Sequence, residues 1–138
     1  LQGTDERKGV TLTHEGVVED LVGTEGAVGE DDVGTRLVCN RNGGRGVFER
    51  VVKYRRAHGY PNLPITEGWV TSPYCSDIGK TLWLSVGGKR VHLTVADCSQ
   101  TRDRARHIRR GQREVDYRTA VRLGMVRAGR VRGLVWPE

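Results

Sequence analysis

At 138 residues and a formal net charge of +6, the chain has the length of one domain. Hydrophobic residues at 36% and aromatics at 6% allow a modest core, and no run approaches the roughly 18 apolar residues of a membrane span. Nineteen glycines favour short strands and tight turns over long helices.

Residues 1–34 hold nine acids against Arg7 and Lys8 and read as an acidic N-terminal arm. Its run GVTLTHEGVVEDLVG offers one or two short strands around Val10, Leu12, Val17, Val18, Leu21 and Val22, too few apolar residues for an independent core. Residues 102–138 hold eleven arginines against four acids. Two partners suit that polarity: the arm packed on the basic end of its own or a neighbouring copy, or an anionic polymer on the arginines. The arm would then be free, or would assemble through residues 1–33 with the next subunit.

From residue 35 the elements follow closely. Thr35–Cys39 reads as a short strand, and the Gly-rich turn Asn40–Gly46 lacks the Lys-Ser/Thr of a phosphate loop. Val47, Val51 and Tyr54 space a helix over Val47–Tyr60, closed by Gly59 and Pro61. Pro61 and Pro64 stiffen a loop before a strand at Gly68–Ser72. Thr81–Val86 and Arg90–Ala96 alternate about Gly87-Gly88, a strong hairpin signal. Thr101–Arg113 reads as an Arg-rich loop, Glu114–Asp116 as a short strand, and Tyr117–Leu123 as a helix of about two turns ended by Gly124. Gly129–Trp136 supplies the last strand, with Val131 inward. Many short strands with two short helices predict a small, mainly β barrel.

The order of residues from Ile78 to Trp136 resembles the rare lipoprotein A-like double-psi β-barrel, a relative of the barwin and expansin barrels. Gly79, Lys80 and Thr81 stand at the first turn, and Asp97 ends the second strand of the hairpin. Asp116 stands where the family has Asp-Leu-Ser, and Ala120, Leu123, Gly124 and Met125 match its Ala-x-x-Leu-Gly-Met. The resemblance implies a six-stranded double-psi barrel over residues 35–138, with residues 1–34 as the extended arm. It also implies a groove centred on Asp97 that binds, and in some members cuts, cell-wall glycan. Cys98, Ser99 and Gln100 replace the family's usual Arg-Gly-Pro after that Asp. Thr71–Cys75 carries no histidine where the enzymes of the family have one, and Tyr74 is a poor proton shuttle with an ordinary pKa of about 10.

Asp97 is therefore the candidate acid/base and Asp116 the candidate second carboxylate, since hydrolysis of a glycosidic bond takes two. Against these roles stand ordinary structural ones, Asp97 capping a loop and Asp116 acting as the N-cap of the helix at Tyr117. Tyr74, Arg102, Arg104, Arg106, His107 and Arg109 are the candidate ligand-binding residues. The arginines suit peptide-stem carboxylates or polymer phosphates. The loop has no aromatic residue to stack on bases and no surrounding nucleic-acid motif, which argues against nucleic acid as a partner. There is no GxSxG, and His14, His58, His92 and His107 lie scattered. Trp69, Trp83 and Trp136 would serve as a sugar platform only where one is exposed.

Neither metal nor cofactor is expected, because no CxxC or HxxxH spacing occurs. Cys39, Cys75 and Cys98 leave open one disulfide plus a thiol or three thiols. Leu1 in place of Met suggests a mature form with its signal segment removed. The expectation is a secreted or envelope-associated barrel that binds peptidoglycan-like glycan with little or no catalysis. A lytic transglycosylase or glycosidase using Asp97 is one alternative. A structural subunit of an envelope layer, filament or virus particle is the other.

Overall fold

The computed structural model describes residues 8–15, 28–30, 36–38 and 45–137. Its strands are β1 (Lys8–His14), β2 (Val28–Glu30), β3 (Arg36–Val38), β4 (Gly68–Ser72), β5 (Thr81–Val86), β6 (Lys89–Cys98), β7 (Gln112–Val115) and β8 (Arg130–Pro137). Its helices are α1 (Val47–Ala57), α2 (Thr101–Arg110) and α3 (Tyr117–Leu123), with a 3₁₀ turn at Cys75–Asp77. Six strands close into a barrel in the order β1-β7-β4-β6-β5-β8, while β2 and β3 form a separate antiparallel pair. The barrel is mixed: β1 runs parallel to β7 and β4 parallel to β6, and the other pairings are antiparallel.

Alternation explains the closure. Val10, Leu12, Val70, Leu82, Leu84, Val91, Leu93, Val95, Val115 and Val135 point inward and join Ala120, Leu123 and Met125 from the α3 segment in one core. Val131 packs at its margin, on the inward side expected of it. The β5–β6 hairpin turns at Gly87 and Gly88, both at positive φ (54° and 84°), where only glycine avoids a steric penalty. Gly124 ends α3 in the left-handed conformation expected from the sequence.

Three sequence readings change. Lys8–His14 is not an arm outside the barrel: it is a barrel strand between β7 and β8, because Val10 and Leu12 fill the interior from a short alternating segment. Residues 1–7, 16–27, 31–35 and Cys39 lie outside the described residues, and with them most of the acidic run. Thr101–Arg110 is a helix rather than a loop, so three helices accompany the barrel instead of two. The strand placed at Glu114–Asp116 spans Gln112–Val115 and leaves Asp116 to start α3.

Candidate functional site

The two ends of β4 carry different chemistry. At its C-terminal end β4 and β6 finish side by side, and the Cys75–Cys98 disulfide joins the turn after β4 to the end of β6. Ser72 donates to Asp77 Oδ2 at 2.6 Å, and Lys80 Nζ donates to Oδ1 at 3.0 Å. Burial would raise the Asp77 carboxyl, but the hydrogen bonds from Ser72 and Lys80 and the charges of Lys80 and Arg113 outweigh it and hold it below the ordinary aspartate value. Burial also pulls the Arg113 guanidinium down, with the Asp77 charge opposing that shift. Arg113 donates to the Thr71 carbonyl at 2.9 Å.

Asp97 lies here, 7% exposed, in register with Thr71. Its Oδ1 accepts the N–H of Cys98 at 2.8 Å, a bond that folds the carboxylate back on its own chain. Helix α2 covers this end through polar contacts. Arg104 Nε donates to the Pro73 carbonyl at 2.9 Å and its Nη2 reaches Cys75 Sγ at 3.4 Å. Arg106 pairs with Asp103 at 3.3 Å, and His107 Nδ1 lies 2.6 Å from the Ser99 hydroxyl. Arg109 is exposed in the last turn, Tyr74 is 49% exposed beside the 3₁₀ turn, and of Arg102 only the helical backbone is described. Arg104, Arg106 and His107 are thus all engaged by the protein's own groups.

At the other end, β1 and β7 finish next to the start of β4. Glu15, 5% exposed, follows β1 and spans two helix N-termini. Its Oε1 accepts the N–H of Tyr117 at 2.9 Å and its Oε2 that of Phe48 at 3.5 Å, where the helix dipoles of α3 and α1 favour a negative charge. Asp116, 8% exposed, occupies the N-cap position of α3 as the sequence suggests, yet it makes no side-chain cap bond to the helix. Its Oδ1 accepts the Trp69 N–H at 2.9 Å and the Thr119 hydroxyl at 2.5 Å, clamping α3 to β4. Gly68 permits the clamp, because a Cβ there would collide with Thr119 and stand 2.7 Å from the Asp116 carboxylate.

A cleft of about 490 Å³ opens above these carboxylates. Trp69, Tyr117 and Phe48 give it apolar and aromatic wall, and Arg45, Glu49, Glu67 and Arg118 give it charges of both signs. Arg45 lies 3.6 Å over the Tyr117 ring, and His14 packs against that ring edge-on. Of the other two tryptophans, Trp136 is buried, and Trp83 stacks on His92 with Arg90 4.4 Å over its ring.

Asp116 lines this cleft and Asp97 does not. Strand β4 stands between β6 and β7, so two strand spacings, about 10 Å, separate the chain near Asp97 from the chain near Asp116. Sequence reasoning did not select Glu15 or Asp77. Glu15 was legible in principle as the acid closing the alternating segment Val10–His14; nothing local marks Asp77, whose partners come from β4, β7 and the following turn. Among the described residues no group of three or more His, Cys, Asp or Glu could hold a metal ion, and no helix is long and apolar enough to cross a membrane.

No family model matches the chain, and no curated protein sequence does. Among solved structures, Streptomyces papain inhibitor is similar with a TM-score of 0.46 and 12% sequence identity, over 96% of this chain and 94% of that chain.

Proposed function

We propose that this chain is a double-psi barrel of the rare lipoprotein A-like kind that binds cell-wall glycan, a peptidoglycan-like polymer, with little or no catalysis. The observation that carries the reading is the cleft at the start of β4. It combines aromatic wall from Trp69 and Tyr117 with charged rim residues, the mixture that saccharide rings and their polar substituents require. Its buried carboxylates, Glu15 and Asp116, are occupied by backbone N–H groups that fix α1, α3 and β4. A general acid needs a carboxyl within reach of the leaving oxygen, and these two are turned to structural work. The two parallel pairings in an otherwise antiparallel barrel support the double-psi reading. The Cys75–Cys98 disulfide supports a secreted or envelope location, since such bonds persist in oxidising compartments.

Co-sedimentation with purified peptidoglycan at low and moderate salt tests this. The intact protein is expected to sediment with the polymer. Trp69→Ala, and separately Arg45→Ala with Arg118→Ala, should weaken binding about tenfold, whereas Asp97→Asn should change it by less than about twofold. An intact protein that stays in the supernatant at both salts removes the reading. Release of soluble muropeptides that Asp97→Asn abolishes would replace it with a lytic transglycosylase.

A further inference from the structure

The β8–β1–β7 segment carries a second concavity, about 410 Å³, lined by Thr11, Arg110, Gln112, Arg130, Val131 and Arg132. Arg130 and Arg132 alternate onto one face of β8, in register with Thr13 and Thr11 of β1. Thr11 in turn is in register with Gln112, and Arg110 is the last residue of α2. Arg110 from a helix end and Arg132 from a strand therefore line one concavity, and none of the described residues lining it is acidic. Glu114, also in register with Thr13, stands across β1 from Arg130 outside that lining.

Arg132 is exposed and is held on one side by a hydrogen bond. Its Nη1 donates to Thr11 Oγ1 at 2.6 Å, and Gly9 leaves the space it crosses, since a Cβ there would stand 2.7 Å from Nη2. The planar fork of each guanidinium matches two oxygens of a tetrahedral oxyanion. The Thr11 hydroxyl and the buried Gln112 amide add neutral polar groups at the floor. We propose that this groove is an oxyanion site for phosphate or sulfate ester groups, separate from the cleft at Glu15 and Asp116 and independent of whether that cleft binds glycan.

The test is a titration of the whole chain, followed by amide ¹H–¹⁵N spectra at about 20 mM salt to limit screening. The probes are inorganic tripolyphosphate, glucose 6-phosphate and glucose 6-sulfate. Tripolyphosphate is expected to move the amides of Gly9–Thr11, Gly111–Gln112 and Arg130–Arg132. Arg110→Gln with Arg132→Gln should weaken it about a hundredfold, about tenfold for each charge-assisted contact. Arg56→Gln with Arg127→Gln removes the same charge elsewhere and should leave the affinity within about twofold. Preference between the two sugar esters names the source, and equal binding supports the shared oxyanion chemistry. Absence of tripolyphosphate binding overturns the proposal. So do shifts spread evenly over the basic surface, or equal losses in both variants. The wild-type spectra locate the site on their own should a variant fail to fold.

Discussion

The two ends of β4 differ in what their acids do. At the C-terminal end the acids are locked into cross-links: Asp77 between Ser72 and Lys80, Asp97 on the Cys98 amide, with the disulfide and Arg104 closing over them. At the N-terminal end Glu15 and Asp116 also hold backbone, but a cleft with tryptophan and tyrosine walls opens beside them. Asp97 thus lies at the end that helix α2 contacts, and the cleft lies at the end organised by Glu15. An acidic residue at the end of a barrel strand marks a position where the backbone needs an acceptor. Whether a ligand reaches it depends on which helix lies over that mouth.

The largest expected effect concerns the sealed end. Cys75→Ser with Cys98→Ser removes a cross-link between positions 23 residues apart, and loop-closure entropy makes that worth about 3 kcal/mol. Urea unfolding of the variant against the wild type measures it directly and leaves Cys39 untouched. A loss below about 1 kcal/mol would show that the Arg104 and His107 contacts hold α2 in place without the disulfide. Glycan sedimentation should be unaltered, because neither cysteine lines the cleft.

At the open end, Glu15→Ala is expected to cost about 2 kcal/mol, since it withdraws a charged acceptor from the Tyr117 and Phe48 amides at once. Glu15→Gln keeps a neutral acceptor and should lose about half as much. Hydrogen exchange distinguishes this from a general loss of stability: the Tyr117 amide should exchange faster relative to those of β5 and β6. Unchanged protection at Tyr117 in Glu15→Ala would mean that water replaces the carboxylate without cost, and the contrast between the two ends would weaken.

Much of the barrel was legible because its strands obey one rule. In β5 and β6, residues such as Leu82, Leu84, Leu93 and Val95 face the core at a period of two, and Gly87-Gly88 fixes the turn between them. The same rule marks Val10 and Leu12, but β1 pairs with strands about a hundred residues away, so its acidic neighbourhood read locally as an arm. Helix α2 was illegible for a different reason. It docks through Arg104 and His107 rather than through an apolar stripe, and hydrophobic periodicity has nothing to register. Its end signals were present: Asp103 in the first turn, His107, Arg109 and Arg110 in the last, and Gly111 as a left-handed cap. Of the candidate site, Asp116 and Trp69 were visible as residue types, but their meeting with Glu15 depends on the parallel β1–β7 pairing.

The smallest effect is a matter of pH and belongs to the sealed end. Asp77 ionises below the ordinary aspartate value in the folded chain, so the unfolded chain binds its proton first as pH falls. Its contribution to stability is therefore complete above the unfolded pKa, near 4, and is lost as pH drops through the lower folded value. Lys80 is exposed, and solvent screens that half of the interaction, which keeps the whole below about 1 kcal/mol. Asp77→Asn should accordingly lower stability slightly at pH 7 and converge with the wild type in strong acid. Paired urea titrations at pH 7, 4 and 2.5 would show the gap closing in that order. A gap that persists at pH 2.5 would assign the Asp77 contribution to its Ser72 hydrogen bond and packing rather than to its charge, and the acids at the two ends of β4 would then differ in shape alone.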